Sequence, residues 1–230
     1  MTASYTPGMS RRSTLLAAVA LLAAAIIAVA LALSPRYALP QESSPEVRFV
    51  REMSQHHAQA VDMATRIRDR DSHDRTLRSV ALDILLSQQE QIGQMRGWLT
   101  LWGLPWGGPG MTGEHARMMG MAAPAELHRL DTLPVGDAER LFLQLMIRHH
   151  QGAIAMVQPV LGPGIRPEVR TLARQIAATQ SGEIRLMMQM LAARGAKPLP
   201  PPAAAQPAQP GMGHAEMDGM DMGGGGEHQH

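Results

Sequence analysis

Two copies of one short motif contain the residues best suited to metal chemistry. In each copy a methionine is followed three and four residues later by two histidines: Met53, His56 and His57 in the first, and Met146, His149 and His150 in the second. Residues with these spacings are neighbours on a helix surface, so a helix would place each methionine beside both histidines. Imidazole suits several transition metals, whereas thioethers prefer soft Cu(I). The motif therefore predicts a metal site that favours Cu(I).

Core packing is the competing interpretation of such residues. Methionine at helical spacing usually fills a core, and we expect this role for five further methionines: Met63, Met95, Met156, Met187 and Met190. The histidine pairs fit that role less well, because a buried nitrogen without a hydrogen-bond partner costs about 1–3 kcal/mol. We therefore favour a functional role for both pairs.

Two further groups of methionine and histidine stand in glycine-rich stretches that cannot build a core. The group in the segment 103–134 consists of Met111, His115, Met118 and Met119, and the group near the C-terminus consists of Met212, His214, Met217, Met220, Met222, His228 and His230. A flexible segment gains nothing structural from exposed thioethers, and short histidine-rich tracts are typical of metal-binding segments. We expect both groups to capture metal ions.

The composition excludes several other classes of function. The 21 Lys and Arg nearly balance the 20 Asp and Glu, which argues against a nucleic-acid-binding protein, because such proteins usually carry an excess of positive charge. Cysteine is absent, which excludes disulfides, thiolate metal sites and cysteine nucleophiles. The sequence also lacks a catalytic triad spacing, a phosphate-binding loop and a dinucleotide-binding motif. It therefore gives no positive sign of an enzyme.

The N-terminal region has the pattern of a membrane anchor or an export signal. Residues 15–33 form a run without polar side chains, and Arg11 and Arg12 precede it. The run is long for a cleaved signal peptide and sufficient for a spanning helix, so we predict a transmembrane anchor or signal peptide at residues 13–34. The arginines predict that residues 1–12 stay in the cytoplasm and that the chain from the linker 35–45 onward lies outside.

The rest of the chain repeats itself, and the repeat predicts the fold. The segment from Phe49 recurs from Phe142 at an offset of 93 residues, and the segment from Ser79 recurs from Thr171 at an offset of 92. In all four segments apolar residues recur every three or four positions, which is the spacing of a helix face. Two duplicated helical hairpins would bury these faces in an all-α four-helix bundle at residues 46–195. The composition of residues 196–230 predicts a disordered tail.

Ferritin-like iron proteins arrange their ligands in a comparable way. Two of their helices supply Glu-x-x-His, and the other two supply one Glu each. Here methionine replaces that Glu in both motifs, and the matching points of the other two helices carry Gln91 and Glu183. Thioethers in place of carboxylates shift the preference from iron to Cu(I). A di-iron oxidoreductase is therefore the alternative to a copper protein, and a non-catalytic scaffold or signalling module is a third interpretation.

Each half of the repeat also fits a longer pattern, F-x3-M-x2-H-H-x2-A-[VI]-x-M followed by Q-x2-[EQ]-I-x2-M. Over residues 46–194 this duplicated pattern resembles the domain-of-unknown-function 305 family. The resemblance implies a ferritin-like four-helix bundle, export from the cytoplasm and an association with copper. By matching positions it supports eight candidate ligands: Met53, His56, His57, Met63, Met146, His149, His150 and Met156. The family more often has Glu where this chain has Gln91, which weakens any site that needs two carboxylates.

These observations together predict an extracytoplasmic protein that binds, buffers or delivers copper through methionine and histidine ligands, with Glu183 as a further candidate. The expected location is outside the cytoplasm, either tethered to the membrane by the N-terminal helix or secreted after cleavage. The expected partners are metal ions and a copper-transport or metal-sensing protein, and no nucleic acid is expected.

Overall fold

The computed structural model describes residues 11–37, 39–108 and 110–206, and within these ranges every regular element is a helix. The described residues form seven α-helices: α1 (Arg11–Tyr37), α2 (Pro45–Arg68), α3 (Arg75–Leu101), α4 (Gly113–Met118), α5 (Pro124–Thr132), α6 (Val135–Met156) and α7 (Pro167–Ala193). Short 3-10 helices lie at Gln158–Val160 and Ala203–Ala205. The predicted all-α class is therefore confirmed for the described residues.

The long helices begin at residues whose chemistry favours a helix start. The hydroxyl of Ser44 accepts a hydrogen bond from the backbone N–H of Val47 at 3.3 Å and thereby caps α2. The carboxylate of Asp74 accepts from the N–H of Leu77 at 3.0 Å and caps α3. Both contacts satisfy a backbone donor that has no partner within its helix. Proline stands in the first turn of α2 and of α7, where its missing N–H removes no helical hydrogen bond.

The two repeats pack as two hairpins that meet through their first helices. α2 lies against α3, α6 lies against α7, and α2 contacts α6. The segment between the repeats is folded onto these central helices, with α5 packed against both α2 and α6. The amide of Gln59 on α2 also exchanges two hydrogen bonds with the backbone of Ala122, at 2.6 and 2.9 Å. The helices that carry the histidine pairs are therefore the central ones.

The core consists of two apolar clusters, and residues that correspond in the internal repeat lie in opposite clusters. Phe49 and Met53 lie in one cluster, whereas their counterparts 93 residues later, Phe142 and Met146, lie in the other. This exchange is what a two-fold rotation between the repeats would produce. The same exchange relates α3 to α7, where Leu77, Ile84 and Met95 correspond to Val169, Ile176 and Met187.

The N-terminal apolar run forms α1, whose side chains at residues 14–30 are all exposed. Among the described residues, no helix meets the combined length and hydropathy criteria for crossing a membrane. The anchor or signal at residues 13–34 stays a prediction. Most of the predicted cytoplasmic stretch 1–12 lies outside the described residues.

Candidate metal centre

Four buried histidines form a polar layer where the two apolar clusters meet. Along α2 the buried apolar side chains belong to one cluster up to Met53 and to the other from Ala60 onward, with the first histidine pair between them. The second pair lies at the corresponding boundary on α6. None of the four is exposed to solvent. We call them the histidine layer: His56, His57, His149 and His150.

The centre of the histidine layer is a stacked pair of rings. His56 and His149 have their ring centroids 3.6 Å apart, with an interplanar angle of 28°. The two residues are counterparts in the internal repeat, so the approximate two-fold axis that exchanges the apolar clusters passes between their rings. The repeat therefore brings one histidine of each motif together at the contact between α2 and α6.

Each outer histidine of the layer is held by the second helix of its own hairpin. His57 Nε2 lies 2.7 Å from Gln91 Oε1, and His150 Nε2 lies 2.7 Å from Glu183 Oε2. Gln91 and Glu183 are counterparts in the repeat, as the sequence pattern predicts. Since an amide oxygen and a carboxylate only accept hydrogen bonds, both imidazoles donate through Nε2–H. In the neutral rings, the lone pair then lies on Nδ1.

Burial keeps His56, His57 and His149 neutral. Loss of hydration, together with the neighbouring histidines, lowers the pKa of His56 to about 3 and that of His57 to about 4. The same loss of hydration holds the pKa of His149 well below its ordinary value. A neutral imidazole binds a metal without first losing a proton, whereas an imidazolium must release one. These three imidazoles therefore need to lose no proton before they bind a metal near neutral pH.

Several buried nitrogens and oxygens of this region lack a hydrogen-bond partner. They are Nδ1 of His56, His57 and His150, both ring nitrogens of His149, both amide atoms of Gln88, and Oε1 of Gln180. Gln88 and Gln180 are counterparts in the repeat, and each is 2% exposed. Buried polar groups in folded proteins normally have partners. This concentration of unpartnered atoms therefore indicates a site that a ligand completes.

The methionines of the two motifs lie in the apolar clusters beside the layer. Met53, Met63 and Met146 have no exposed surface, and Met156 is 8% exposed. Met53 and Met156 share one cluster, and Met63 and Met146 share the other. The candidate thioethers are therefore buried on both sides of the histidine layer, where they also serve as core side chains.

Two candidate methionines between the repeats, Met111 and Met119, pack against the apolar cluster that contains Met53. Met111, His115 and Met119 are half-buried, whereas Met118 is exposed. His115 Nε2 lies 3.5 Å from a carboxylate oxygen of Glu52 on α2. The candidates of the tail, Met212, His214, Met217, Met220, Met222, His228 and His230, lie outside the described residues.

The side chains of the layer are not arranged around one point. In the part of the chain that the structure describes, no group of three His, Asp or Glu side chains is placed so that it could hold a metal ion. The stacking of His56 on His149 explains this, because parallel rings direct their nitrogens past each other rather than toward a common ion. The donor chemistry of the layer suits a soft metal, but its present side-chain arrangement does not enclose one.

The sequence pattern did not identify one contributor to the layer, the backbone carbonyl of Met119, which lies 3.0 Å from His56 Nε2. A carbonyl from a distant segment leaves no signal in a motif. The pattern does contain Gln88 and Gln180 but did not mark them as site candidates, and both are buried.

Comparisons with known proteins place the chain in a family. The family model for "Domain of unknown function (DUF305)" matches residues 46–191, and a second match covers residues 156–224. A comparison with curated proteins returned no match.

Solved structures of the family have a similar fold. A DUF305 fragment from Deinococcus radiodurans is 57% identical, with a TM-score of 0.62 over 67% of this chain and 99% of that one. A DUF305 protein from Streptomyces coelicolor, which carries the name of a secreted protein, is 42% identical, with a TM-score of 0.64 over 69% and 99% of the two chains.

A third similar structure is CopM in its Cu(I)-bound form. It is 28% identical, with a TM-score of 0.54 over 65% of this chain and 96% of that one. The family match spans more than half of the chain, and the resemblance predicted from the duplicated motif is confirmed. The chain therefore belongs to the DUF305 family.

Proposed function

We propose that this protein binds Cu(I) in the histidine layer and buffers or delivers copper outside the cytoplasm. The observation that carries the proposal is the set of buried ring nitrogens that make no well-formed hydrogen bond, which for His149 includes both nitrogens, although the backbone of His56 lies near its ring. Each orphaned buried group costs about 1–3 kcal/mol. A chain that retained these groups for folding alone would be more stable with apolar residues in their place, and a metal ion gives them a function.

Copper(I) suits these donors better than the harder metals. The layer offers imidazoles, which suit copper among several transition metals, and the neighbouring motif positions offer the thioethers of Met53 and Met146, which favour soft Cu(I). The copper-bound state of the similar protein CopM supports the same assignment. Glu183 would act through His150, because its carboxylate accepts the Nε2–H and raises the basicity of the ring.

Binding requires a local rearrangement of side chains. The ring of His149 would rotate away from the ring of His56, which stays on the Met119 carbonyl, so that nitrogens of both rings approach one ion while the helices keep their positions. The motif methionines are unbranched and adaptable, so their sulfur atoms can follow such a change at small cost. The two duplicated hairpins would then form a four-helix bundle of ferritin-like type around the ion, as in the fold predicted from the repeat.

The location and partners belong to the same proposal. The apolar N-terminal helix would export the chain or tether it to the membrane, and the name of the similar Streptomyces coelicolor protein supports export. The methionine and histidine groups at residues 111–119 and 212–230 would collect ions for the layer. A copper-transport or metal-sensing protein outside the cytoplasm would be the natural partner for delivery.

The di-iron alternative finds less support in the geometry of the layer. Ferritin-like di-iron sites use several carboxylates together with histidine. Among the hydrogen bonds of the four buried histidines within residues 11–206, only the bond from His150 reaches a carboxylate, that of Glu183. The counterpart of Glu183 is Gln91, which carries no charge.

A Cu(I) competition titration of the full-length protein tests the proposal. Replacing the four histidines of the layer together with leucine should abolish the tightest site and leave the helical circular dichroism unchanged. Replacing the exposed His73 and His128 with glutamine is the matched control, which should retain wild-type affinity because neither residue belongs to the layer. Tight binding that survives in the fourfold variant would overturn the assignment.

A second variant separates the layer from the tail. Ending the chain after Gln206 removes the tail group but keeps residues 197–206, in which the carbonyl of Lys197 accepts a 2.7 Å hydrogen bond from Gln144 on α6. Tight binding should persist in this variant. If the affinity disappears with the tail, the tail is the main site and the histidine layer has a structural role.

A further inference from the structure

The segment between the repeats crosses the histidine layer as an ordered strap. We define the strap as residues 110–123, all of which the structure describes. Along α2, the side chain of Gln55 accepts a 3.0 Å hydrogen bond from the N–H of Met111. Further on, Gln59 holds both backbone groups of Ala122. The strap is therefore fixed to α2 on both sides of its central residues.

The central residues of the strap lie directly against α6. A Cβ atom added to Gly152 would stand 1.7 Å from the carbonyl oxygen of Met119, so only glycine at this position permits the approach. Gly120, which follows Met119, has φ of +80° and also packs closely on α6, since a Cβ there would stand 2.4 Å from the carbonyl oxygen of Arg148. L-residues rarely adopt such a φ angle, whereas glycine does so readily.

The segment that follows α7 also packs against the strap. Pro202, in the segment that follows α7, is buried and lies against Gly120, where its Cγ would be 3.3 Å from an added Cβ. On the inner side, the guanidinium of Arg148 forms two hydrogen bonds with the carboxylate of Glu126, at 3.1 and 2.7 Å, just beyond the strap. These contacts hold the peptide of Met119 in one place above the layer.

The position of the Met119 carbonyl determines the hydrogen bonding of His56. The carbonyl oxygen of Met119 can only accept a hydrogen bond, so His56 donates to it through Nε2–H at 3.0 Å. The neutral ring of His56 then carries its lone pair on Nδ1. Its repeat counterpart, His149, makes no such hydrogen bond within the described residues. Gln59 stands at the repeat position of Gly152, where it binds the strap instead of making room for it.

We propose that the Met119 carbonyl, seated by Gly152, is a positioning group that fixes the tautomer of His56 and so presents Nδ1 of that ring as a metal ligand. The proposal rests on the copper function of the layer and deepens it. Outer partners of metal-bound histidines set the ring orientation and the basicity of the ligand, and their loss typically weakens metal affinity about 10–100-fold. In this chain the outer partner of His56 is a backbone atom supplied by the strap.

The test compares Gly152→Ala with Gly97→Ala in the full-length protein. Both changes place an alanine in a helix, but a Cβ at Gly97 meets nothing within 4 Å, whereas one at Gly152 forces the Met119 carbonyl away. The first readout is the imidazole 15N spectrum of the metal-free protein, which reports the tautomer of His56. The second readout is the Cu(I) affinity from competition titration.

We expect Gly152→Ala to shift His56 away from its Nε2–H form and to lower the Cu(I) affinity about 10–100-fold, while Gly97→Ala changes neither. If Gly152→Ala does not fold, Gln59→Leu replaces it, because this change removes the two hydrogen bonds to Ala122 without adding a clash. An unchanged tautomer, or a changed tautomer at wild-type affinity, would overturn the positioning role. If the wild type binds no Cu(I) but Gly152→Ala still changes the tautomer of His56, the copper function is overturned. The control of the tautomer by the Met119 carbonyl is then retained.

Discussion

The two repeats provide the same histidine pair but surround it with different partners. In the first repeat, His57 is held by the neutral amide of Gln91 and His56 by the carbonyl of Met119. In the second repeat, His150 is held by the carboxylate of Glu183, and His149 has no partner at either nitrogen. The apolar residues, by contrast, correspond closely between the repeats, because most residues of the cluster that contains Met53 have their counterparts in the other cluster.

This contrast separates the requirements of folding from those of the site. An apolar cluster needs only volume and shape, so duplicated residues fill both clusters equally well. The histidine layer lies near the approximate axis, where each nitrogen meets a particular donor or acceptor. Small sequence differences there change the charge and the tautomer of the donors. The two histidine pairs of the layer therefore have different chemical environments.

The largest expected effect is a loss of stability in acid, which follows from the histidine pair of the first repeat. The folded pKa values of His56 and His57 are about 3 and 4, below the ordinary value of 6.5, because burial removes hydration from the charged form. The unfolded chain therefore binds more protons than the folded one below pH 6.5. Stability is complete above this pH and decreases as the pH falls toward 4, by about 2–3 kcal/mol per histidine at pH 4.5.

Urea unfolding of the metal-free protein between pH 7 and pH 4.5 measures this loss. The fourfold leucine variant of the layer is the control, and its stability should depend much less on pH over the same range. Equal stability of the wild type at both pH values would mean that the layer is hydrated. It would contradict the lowered pKa values of His56 and His57.

The next effect concerns Glu183, whose carboxylate accepts the hydrogen bond from His150. Glu183→Gln gives the second repeat the same outer partner as the first, and we expect the Cu(I) affinity to fall about 10–100-fold because His150 loses a basic acceptor. Gln91→Glu makes the opposite change and should strengthen binding. Competition titrations of both variants provide the measurement. Equal affinities in the wild type and both variants would show that the asymmetry between Gln91 and Glu183 has no role in binding.

The smallest expected effect concerns the stability cost of the orphaned ring. His149→Phe removes two buried nitrogens that have no partner, so the metal-free protein should be as stable as the wild type or more stable by about 1–2 kcal/mol. His57→Phe removes a hydrogen bond to Gln91 and should destabilise the protein by about 1 kcal/mol. Urea unfolding at pH 7.5 compares the two. A larger loss for His149→Phe would assign that residue a structural role.

Much of the fold follows from local sequence patterns. The helical spacing of apolar residues and the offsets of 93 and 92 predicted four long helices, and α2, α3, α6 and α7 occupy those stretches. The pairing of His57 with Gln91 and of His150 with Glu183 agrees with their matched places in the repeat. These features were accessible because a repeat constrains two copies to one geometry.

Other parts of the site depend on segments that are far apart in the chain. The glycine-rich segment between the repeats was predicted to capture ions, and it also forms the strap that reaches His56. A low content of apolar residues gave no indication of this role, because the strap is held by backbone hydrogen bonds from Gln55 and Gln59 rather than by a core of its own. The close packing of Gly152 against Met119 likewise has no signal in a single sequence.

The sequence by itself determined the helices, their duplication and the types of donor in the motif, because periodicity and residue chemistry are local properties. Only the tertiary structure decided that His56 stacks on His149, that His149 lacks partners and that a distant carbonyl selects the tautomer of His56. Those features depend on how α2, α6 and the strap approach one another. The physical reason is that a hydrogen bond is sensitive to distance and direction, whereas an apolar contact tolerates variation in both.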